Sequence, residues 1–259
     1  MDRSKKILLI VIIILIVCFF AMRGCVHIVG KVMNKVMPAT SLSYDYPERY
    51  SIDSIGGTTL PITDIEVEWI NGDIHISYGD IDSISWCEIY TDGTPSVEDR
   101  LHYYIEDNTL AIRYCAPHFE DQGHLRTFLK HRPNKSLHKE LTIILPRGAY
   151  YHNVEISGIN GNHFLDIDAC EMDLSMINGS ITLSTRQSDN IQMQTINGNL
   201  TIFAPDTSSI QVTTDKVNGA VYTEWPCSQQ DNTYTCGVAP YMRIEMDVIN
   251  GNMNILKLK

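Results

Sequence analysis

The chain has 259 residues and a formal net charge of -11, with 31 acidic against 20 basic residues. This acidity argues against a nucleic-acid-binding protein, because such proteins present a basic face to the phosphate backbone. The length suits one extended domain or two modest ones.

The first predicted element is an apolar segment, 7–22, with sixteen uncharged residues between Lys6 and Arg23. As a helix it would be about 24 Å long, against roughly 30 Å of bilayer hydrocarbon, which is workable if the flanking cations reach the headgroups. We expect residues 1–25 to be an uncleaved, single-pass signal anchor with the rest of the chain outside the cytoplasm. A cleaved signal peptide and a lipoprotein acylated at Cys25 are the alternatives.

One β domain is predicted after the anchor. Residues 26–50 are of mixed character and are expected to form a stem, and the domain would then occupy 51–259. Apolar residues that alternate on both sides of Asp107 and Asn108 predict a hairpin over 101–114.

Residues 116–139 are polar, lack periodicity and contain Pro117 and Pro133, which predicts an excursion from the domain. Its four histidines have no spacing that would fix a metal geometry. Its local excess of basic residues would suit a lipid phosphate or an anionic wall polymer, and an ordinary solvated loop is the alternative.

An insertion, 224–240, lengthens the segment between the last two repeats and carries Cys227 and Cys236. A disulfide between them would staple the insertion. Cys87 and Cys115 could pair only if their strands are neighbours. Free thiols are the alternative for all four cysteines.

The main feature of the domain is an Asn-Gly pair that occurs six times, each time after an isoleucine or valine. The pairs are Asn71-Gly72, Asn160-Gly161, Asn178-Gly179, Asn197-Gly198, Asn218-Gly219 and Asn250-Gly251. Around each pair apolar and polar residues alternate, as on strands with one buried face. From Asn160 to Asn218 the pairs recur at intervals of 18, 19 and 21 residues, which is typical of a repeat protein.

The pair predicts a sharp corner, because Asn tolerates the left-handed conformation and Gly adopts it freely. The corners could be type I′ turns of an antiparallel meander or the corners of stacked coils. Stacking favours the same residue at the same position, and the residue before Asn is Ile in five copies and Val in one. We therefore predict an all-β fold, a parallel β-solenoid preceded by one N-terminal transmembrane helix. His163 interrupts the apolar pattern, which predicts that its coil lies at or near a capped end.

Several stretches carry a family resemblance. LTIILPRGAYYHNVEISGINGN, MINGSITLS and TINGNLTIF resemble the bacterial envelope proteins known as the putative-adhesin family. Gly158-Ile159-Asn160 is similar to the motif of a related head domain named for Gly-Ile-Asn. The resemblance covers roughly 60–259 and implies a β-solenoid, a location in the bacterial envelope and no catalytic residues.

The predicted function is that of a non-enzymatic, membrane-anchored module for adhesion or envelope sensing, without cofactor, metal or catalytic residue. Its partners would be the bacterial cell membrane, through 7–22, and an envelope polysaccharide or a membrane protein, with the β domain periplasmic or extracellular. One alternative is a carbohydrate-active β-helix enzyme, whose acids would be residues such as Asp166 and Asp168. Another is a scaffold or regulatory subunit of a membrane complex.

Overall fold

The computed structural model describes residues 50–91, 93, 95–97, 99–115, 137–239 and 241–258. Within them the chain forms 20 β-strands and no helix. The strands are β1 Ser51–Ile52, β2 Ile55–Thr58, β3 Asp64–Asn71, β4 Ile74–Gly79, β5 Ile84–Tyr90, β6 His102–Glu106, β7 Thr109–Arg113, β8 Lys139–Pro146, β9 Tyr151–Asn160, β10 His163–Asp166, β11 Ala169–Asn178, β12 Ile181–Ser184, β13 Asn190–Asn197, β14 Leu200–Pro205, β15 Ile210–Asn218, β16 Val221–Thr223, β17 Ser228–Gln230, β18 Thr233–Cys236, β19 Met242–Asn250 and β20 Met253–Leu258.

Hydrogen bonds arrange these strands in two sheets, a large sheet of 11 strands and a small sheet of 9. The large sheet has the order β1-β6-β7-β3-β9-β11-β13-β19-β15-β18-β17, and the small sheet has the order β16-β20-β14-β12-β10-β4-β8-β5-β2. Both sheets are mixed. Their interiors are parallel, whereas β1, β6, β17 and β18 in the large sheet and β2 and β5 in the small sheet add antiparallel edges.

Each Asn-Gly corner carries the chain from the large sheet into the small sheet. The strand pairs joined in this way are β3 and β4, β9 and β10, β11 and β12, β13 and β14, β15 and β16, and β19 and β20. The inner faces of the two sheets form one hydrophobic core. The predicted alternation is confirmed there, because residues four and six before each corner Asn, and three and five after it, are buried in every repeat except that of Asn218.

The predicted fold class, a parallel β-solenoid preceded by a transmembrane helix, is wrong. A solenoid advances in one direction in chain order. Here β19, from the last repeat, lies between β13 and β15 in the large sheet, and β20 lies between β14 and β16 in the small sheet. The all-β fold therefore consists of two mixed sheets with antiparallel edges. The physical reason is the 32-residue separation of Asn218 and Asn250, which lets the last repeat return past β15 and pair with β13.

Several predicted segments lie outside the described residues. These are the signal anchor 1–25 with its apolar run 7–22, the stem as far as 49, and most of the excursion. Within the described part of the chain there is no helix, and so none that could span a membrane. The excursion predicted at 116–139 is described only from 137, where Leu137 and Lys139 are buried in the domain.

Two smaller features concern the hairpin predicted at 101–114 and the insertion, for which a disulfide and free thiols were both left open. The hairpin of β6 and β7 is confirmed, and Asp107 and Asn108 at its turn have φ values of 48° and 62°, as a type I′ turn requires. In the insertion 224–240, β17 and β18 form a second hairpin at the edge of the large sheet. A disulfide joins its two cysteines, Cys227 and Cys236, whose Cα atoms are 4.4 Å apart.

The other cysteine pair does not form. Cys87 lies in β5 of the small sheet, whereas Cys115 follows β7 of the large sheet. Both thiols are free, because their strands are not neighbours.

His163 lies inside the hydrophobic core, so the expectation that its repeat lies at a capped end is wrong. β10 stands between β4 and β12, and the residues in register with His163 are Ile74 and Ile181. The side chain is fully buried, and neither ring nitrogen has a hydrogen-bond partner among the described residues. A Cβ at Gly158 would collide with the imidazole, so the absence of a side chain there makes room for the ring. Burial lowers the pKa of His163 from 6.5 to about 3.

Replacing His163 by leucine should reduce the loss of stability in acid. Below pH 6.5 the unfolded chain binds a proton that the folded imidazole does not accept until about pH 3. As the pH falls through that window, this single group lowers the free energy of unfolding by about 1.4 kcal/mol for each pH unit. Urea unfolding at about pH 7 and pH 5 should therefore show a loss about 2 kcal/mol larger for the wild type than for His163→Leu. Equal losses of stability in the wild type and in His163→Leu would contradict the prediction.

Candidate binding surface

The corners bring one glycine of each repeat against the backbone of the next. Gly179 has a φ of +143°, and a Cβ there would strike the carbonyl oxygen of Gly161. The corner asparagines do not have positive φ, since the described residues other than glycine that do are Asp107, Asn108 and Asp231. The type I′ meander is therefore excluded at the corners, and the asparagines are not there for a left-handed backbone.

The asparagine side chains instead form a hydrogen-bonded ladder along the edge where the two sheets meet. Four of the Nδ2 groups donate to the Oδ1 of the asparagine in the neighbouring repeat: Asn178 to Asn160 at 3.1 Å, Asn197 to Asn178 at 2.9 Å, Asn250 to Asn197 at 2.9 Å and Asn218 to Asn250 at 2.9 Å. These five side chains are exposed. Asn71 departs from the pattern, because its Nδ2 donates to the carbonyl oxygen of Leu137 at 2.9 Å. Repetition of this residue thus serves amide-to-amide bonding between parallel strands.

An apolar ridge accompanies this asparagine ladder. The residues that precede four of the asparagines form a small hydrophobic cluster separate from the main core: Ile177, Ile196, Val217 and Ile249. Three of the four are only partly buried. The edge therefore presents a row of amides beside a row of aliphatic side chains.

The outer face of the large sheet carries much of the acidic charge. Five residues stand in register across its parallel strands: Glu66, Glu155, Asp173, Gln192 and Glu245. At the β7 end, Arg113 pairs with Glu66 at 2.7 Å and with Glu68 at 3.4 Å. Parallel strands are about 4.8 Å apart, so a polyanion would meet closely spaced like charges on this face.

The outer face of the small sheet has a different character. The position four residues after each corner asparagine forms what we call the central row, which crosses the sheet in the order His75, Phe164, Thr182, Thr201, Asn254 and Tyr222. The rings of His75 and Phe164 are stacked, with centroids 4.9 Å apart and planes inclined by 13°. Phe164 is 42% exposed and Tyr222 is 56% exposed. The row therefore has aromatic rings at both ends and hydroxyl and amide groups between them.

A second polar row lies between the central row and the corner. We call it the edge row: Asn162, Ser180, Asn199 and Asn252. Its side-chain oxygens accept backbone N–H groups of the next repeat, as from Ser180 to Asn162 at 3.2 Å, Asn199 to Ser180 at 3.1 Å and Asn252 to Asn199 at 2.9 Å. These bonds hold the edge row in place on the sheet.

Asp166 and Asp168, the acids considered for an enzyme, are both engaged in structural contacts. Asp166 forms a bidentate ion pair with Arg186, with N–O distances of 2.5 Å and 3.2 Å. Asp168 is buried, and its Oδ1 accepts the Thr185 hydroxyl at 2.8 Å and the backbone N–H of Arg186 at 2.6 Å and of Gln187 at 3.0 Å. The arrangement secures the turn after β12.

A buried ion pair lies where β8 begins. The Nζ of Lys139 is 2.6 Å from Oε1 of Glu88, and both side chains are fully buried. Nζ also donates to the carbonyl oxygens of Asp99, at 2.6 Å, and Tyr114, while Oε2 of Glu88 accepts the N–H of Leu101 at 2.9 Å. Burial lowers the pKa of Lys139, and the attraction of Glu88 opposes that shift. Because neither side chain reaches the surface, the ion pair has a structural role and is not part of a binding surface.

The sequence reasoning located the corner residues but missed the central row. Its aromatic members lie far apart in the chain and become neighbours only through strand register. A usable signal was present, because the outward position four residues after each Asn can be read directly from the repeat alignment.

Together these features define an all-β protein of two mixed sheets, with acidic residues across the outer face of one sheet and a central row without acids, lysine or arginine on the other. No model of a protein family matches the chain, and no curated protein does. A solved structure described as a putative cell adhesion protein from Clostridium sporogenes is similar to it with a TM-score of 0.59 and 16% sequence identity, over 81% of this chain and 99% of that one. This likeness shows a shared fold. A structure described as a putative adhesin from Bacteroides fragilis aligns over 79% of this chain and 96% of that one with 9% identity and a TM-score of 0.30.

Proposed function

We propose that this protein is a non-enzymatic binding module of the bacterial cell envelope, an adhesin-like domain held at the membrane through residues 7–22 and displayed outside the cytoplasm. The observation that carries the proposal is the set of regular rows of exposed side chains on a frame of parallel strands. Such a frame presents one side chain about every 4.8 Å, with the same group repeated in the asparagine ladder, which suits attachment to an extended, repetitive partner.

Three further observations support it. The structure that shares the fold is described as a putative cell adhesion protein. The disulfide between Cys227 and Cys236 is of a kind that persists in oxidising compartments outside the cytoplasm. The two acids considered for catalysis, Asp166 and Asp168, already have strong partners within the fold.

Display at the cell surface is tested with the full chain in a bacterial host, with an epitope tag at its C-terminus. The tag should sediment with membranes and should be digested when protease is added to cells or spheroplasts with an intact inner membrane. A variant lacking 1–25 should lose membrane association. A tag that is protected until the inner membrane is lysed would contradict the proposal.

Binding without catalysis is tested on the same cells. Cells that display the full chain should be retained on immobilised cell-wall material several-fold better than cells with an empty vector, and the material should gain no new reducing ends. If reducing ends appear, and if Asp166→Asn or Asp168→Asn abolishes them, the carbohydrate-active enzyme is the correct function.

A further inference from the structure

The central row on the small sheet has the composition of a ligand platform. Strand β10, which carries Phe164, lies in the middle of the small sheet, yet the phenyl ring is 42% exposed. Fully burying such a ring is worth about 1.5–3 kcal/mol, and a ligand that covers its exposed part would gain a share of that free energy. At the other end of the row, Tyr222 is 56% exposed.

The dimensions of the row suit an elongated ligand. Phe164 and Tyr222 are separated by the strands that carry Thr182, Thr201 and Asn254. Four interstrand spacings place the two rings roughly 19 Å apart. A ligand that contacts both rings must therefore be a chain that runs across the strands, not a single small ring.

The polar groups between the two rings are neutral and are already oriented. Asn254 Nδ2 donates to the Thr201 hydroxyl oxygen at 3.1 Å, so the hydroxyl hydrogen of Thr201 is directed to another acceptor. In the adjoining edge row, the Oδ1 atoms of Asn199 and Asn252 accept backbone N–H groups at 2.9 Å and 3.0 Å. Both residues are exposed, and their amide NH₂ groups can donate to a ligand.

The charges near the central row indicate which kind of chain-like ligand it would bind: neutral, anionic or cationic. The central row has no acidic residue and no lysine or arginine, in a protein whose net charge is -11. Two acids flank the row, and both have partners: Oδ1 of Asp73 accepts the backbone N–H of Asn162 at 2.8 Å, and Asp166 is paired with Arg186. A polyanion finds no lysine or arginine along this row, and a polycation would be drawn to the acids of the large sheet instead.

We propose that the central row binds a neutral glycan chain laid across the strands of the small sheet. The apolar C–H faces of its sugar rings pack on Phe164 and Tyr222, and their hydroxyl groups hydrogen-bond with Thr182, Thr201 and Asn254. Aromatic groups that set orientation, together with a few placed polar groups, are the usual composition of such sites. This inference rests on the proposed role as a binding module and specifies its ligand class.

The test uses the purified full chain in detergent and a defined panel of probes. The neutral probes are oligosaccharides of cellulose and chitin, and dextran, and polygalacturonate is the anionic probe. We expect at least one neutral probe to bind, with Phe164→Ala and Tyr222→Ala each weakening it about tenfold, which corresponds to about 1.4 kcal/mol per ring. The matched control is Tyr150→Ala, which removes an aromatic ring that is 44% exposed outside the row, and it should leave the affinity within about twofold.

The outcomes are separable from those of the proposed function. Thermal unfolding of each variant by circular dichroism verifies that the fold is retained. Binding of none of the neutral probes, binding of polygalacturonate alone, or equal affinity of the wild type and both ring variants would overturn the inference. If cells displaying Phe164→Ala and Tyr222→Ala together still adhere like the wild type, the glycan site is wrong while the adhesive function stands. If the wild type is not displayed at all, the proposed function fails, whatever the purified protein binds.

Discussion

Replacing Gly179 by alanine should destabilise the protein by about 3 kcal/mol or more. Losses of this size arise when a buried or strained position is disrupted. The added Cβ would meet the carbonyl oxygen of Gly161 in the neighbouring repeat, in a backbone conformation with a φ of +143° that side chains disfavour. Relief of the contact requires the two repeats to separate, which breaks the parallel pairing of β9 with β11. Urea unfolding of wild type and variant measures the change.

The matched control for this prediction is Gly148→Ala. Gly148 also has positive φ, +76°, but a Cβ there would meet nothing within 4 Å. The Gly148→Ala variant therefore measures only the cost of placing a side chain at positive φ, which is about 1 kcal/mol. Equal losses of stability for Gly148→Ala and Gly179→Ala would show that the close approach of the corners is not what requires glycine.

Replacing Lys139 by methionine should cost about 3–5 kcal/mol, because removal of one partner leaves a buried charge without compensation. The carboxylate of Glu88 would lose the ammonium that is 2.6 Å away, and the hydrogen bonds that its Oε2 accepts from Leu101 and Ser54 do not neutralise its charge. The carbonyl oxygens of Asp99 and Tyr114 would lose their donor as well. The free energy of unfolding at neutral pH measures the loss.

The double variant Lys139→Met with Glu88→Gln distinguishes a charge effect from a packing effect. Glutamine keeps an oxygen that can accept the N–H of Leu101 but carries no charge, so the double variant should be more stable than the sum of the single changes predicts. Arg147→Met, which breaks an exposed ion pair with Asp80, should change stability very little. Additive effects of the Lys139 and Glu88 substitutions would contradict the assignment of a coupled pair.

The repeat pattern predicted the core because it depends on a local rule. On a strand, side chains alternate between faces, so the period-two spacing of residues such as Ile65 and Val67 identifies the inner face without knowledge of the partner strand. Their burial in the structure confirms the prediction. The hairpin at Asp107 and Asn108 was predictable for the same reason, since turn chemistry acts between adjacent residues.

Strand order was not predictable from the same pattern. Asn218 and Asn250 share the Asn-Gly corner, and although the apolar pattern around Asn218 is less complete, nothing local to either repeat states which of them pairs with β13. The choice depends on the return of the chain through the insertion and on packing over the whole sheet. The same limit applies to His163, whose sequence neighbours do not reveal that β10 lies between β4 and β12.

The roles of the candidate binding residues also depended on neighbours that are distant in the chain. The sequence analysis assigned the corner asparagines a role in backbone conformation. In the structure, the side-chain amide of Asn197 instead donates to Asn178, 19 residues away. Phe164 and Tyr222 become parts of one row only when the strands between them are aligned. Asp168 was considered as a catalytic acid, but its carboxylate is buried against the turn after β12.

By itself, the sequence determined the strands on either side of each corner, the residues that face inward on them and the positions of the six corners, because each follows from contacts within a few residues. Only the tertiary structure decided the order of the strands, the burial of His163 and the neutral row across the small sheet. These depend on pairing between segments that are far apart in the chain, and one repeat offers nearly the same edge as another. The free energy that selects the order is therefore a property of both assembled sheets, not of any single repeat.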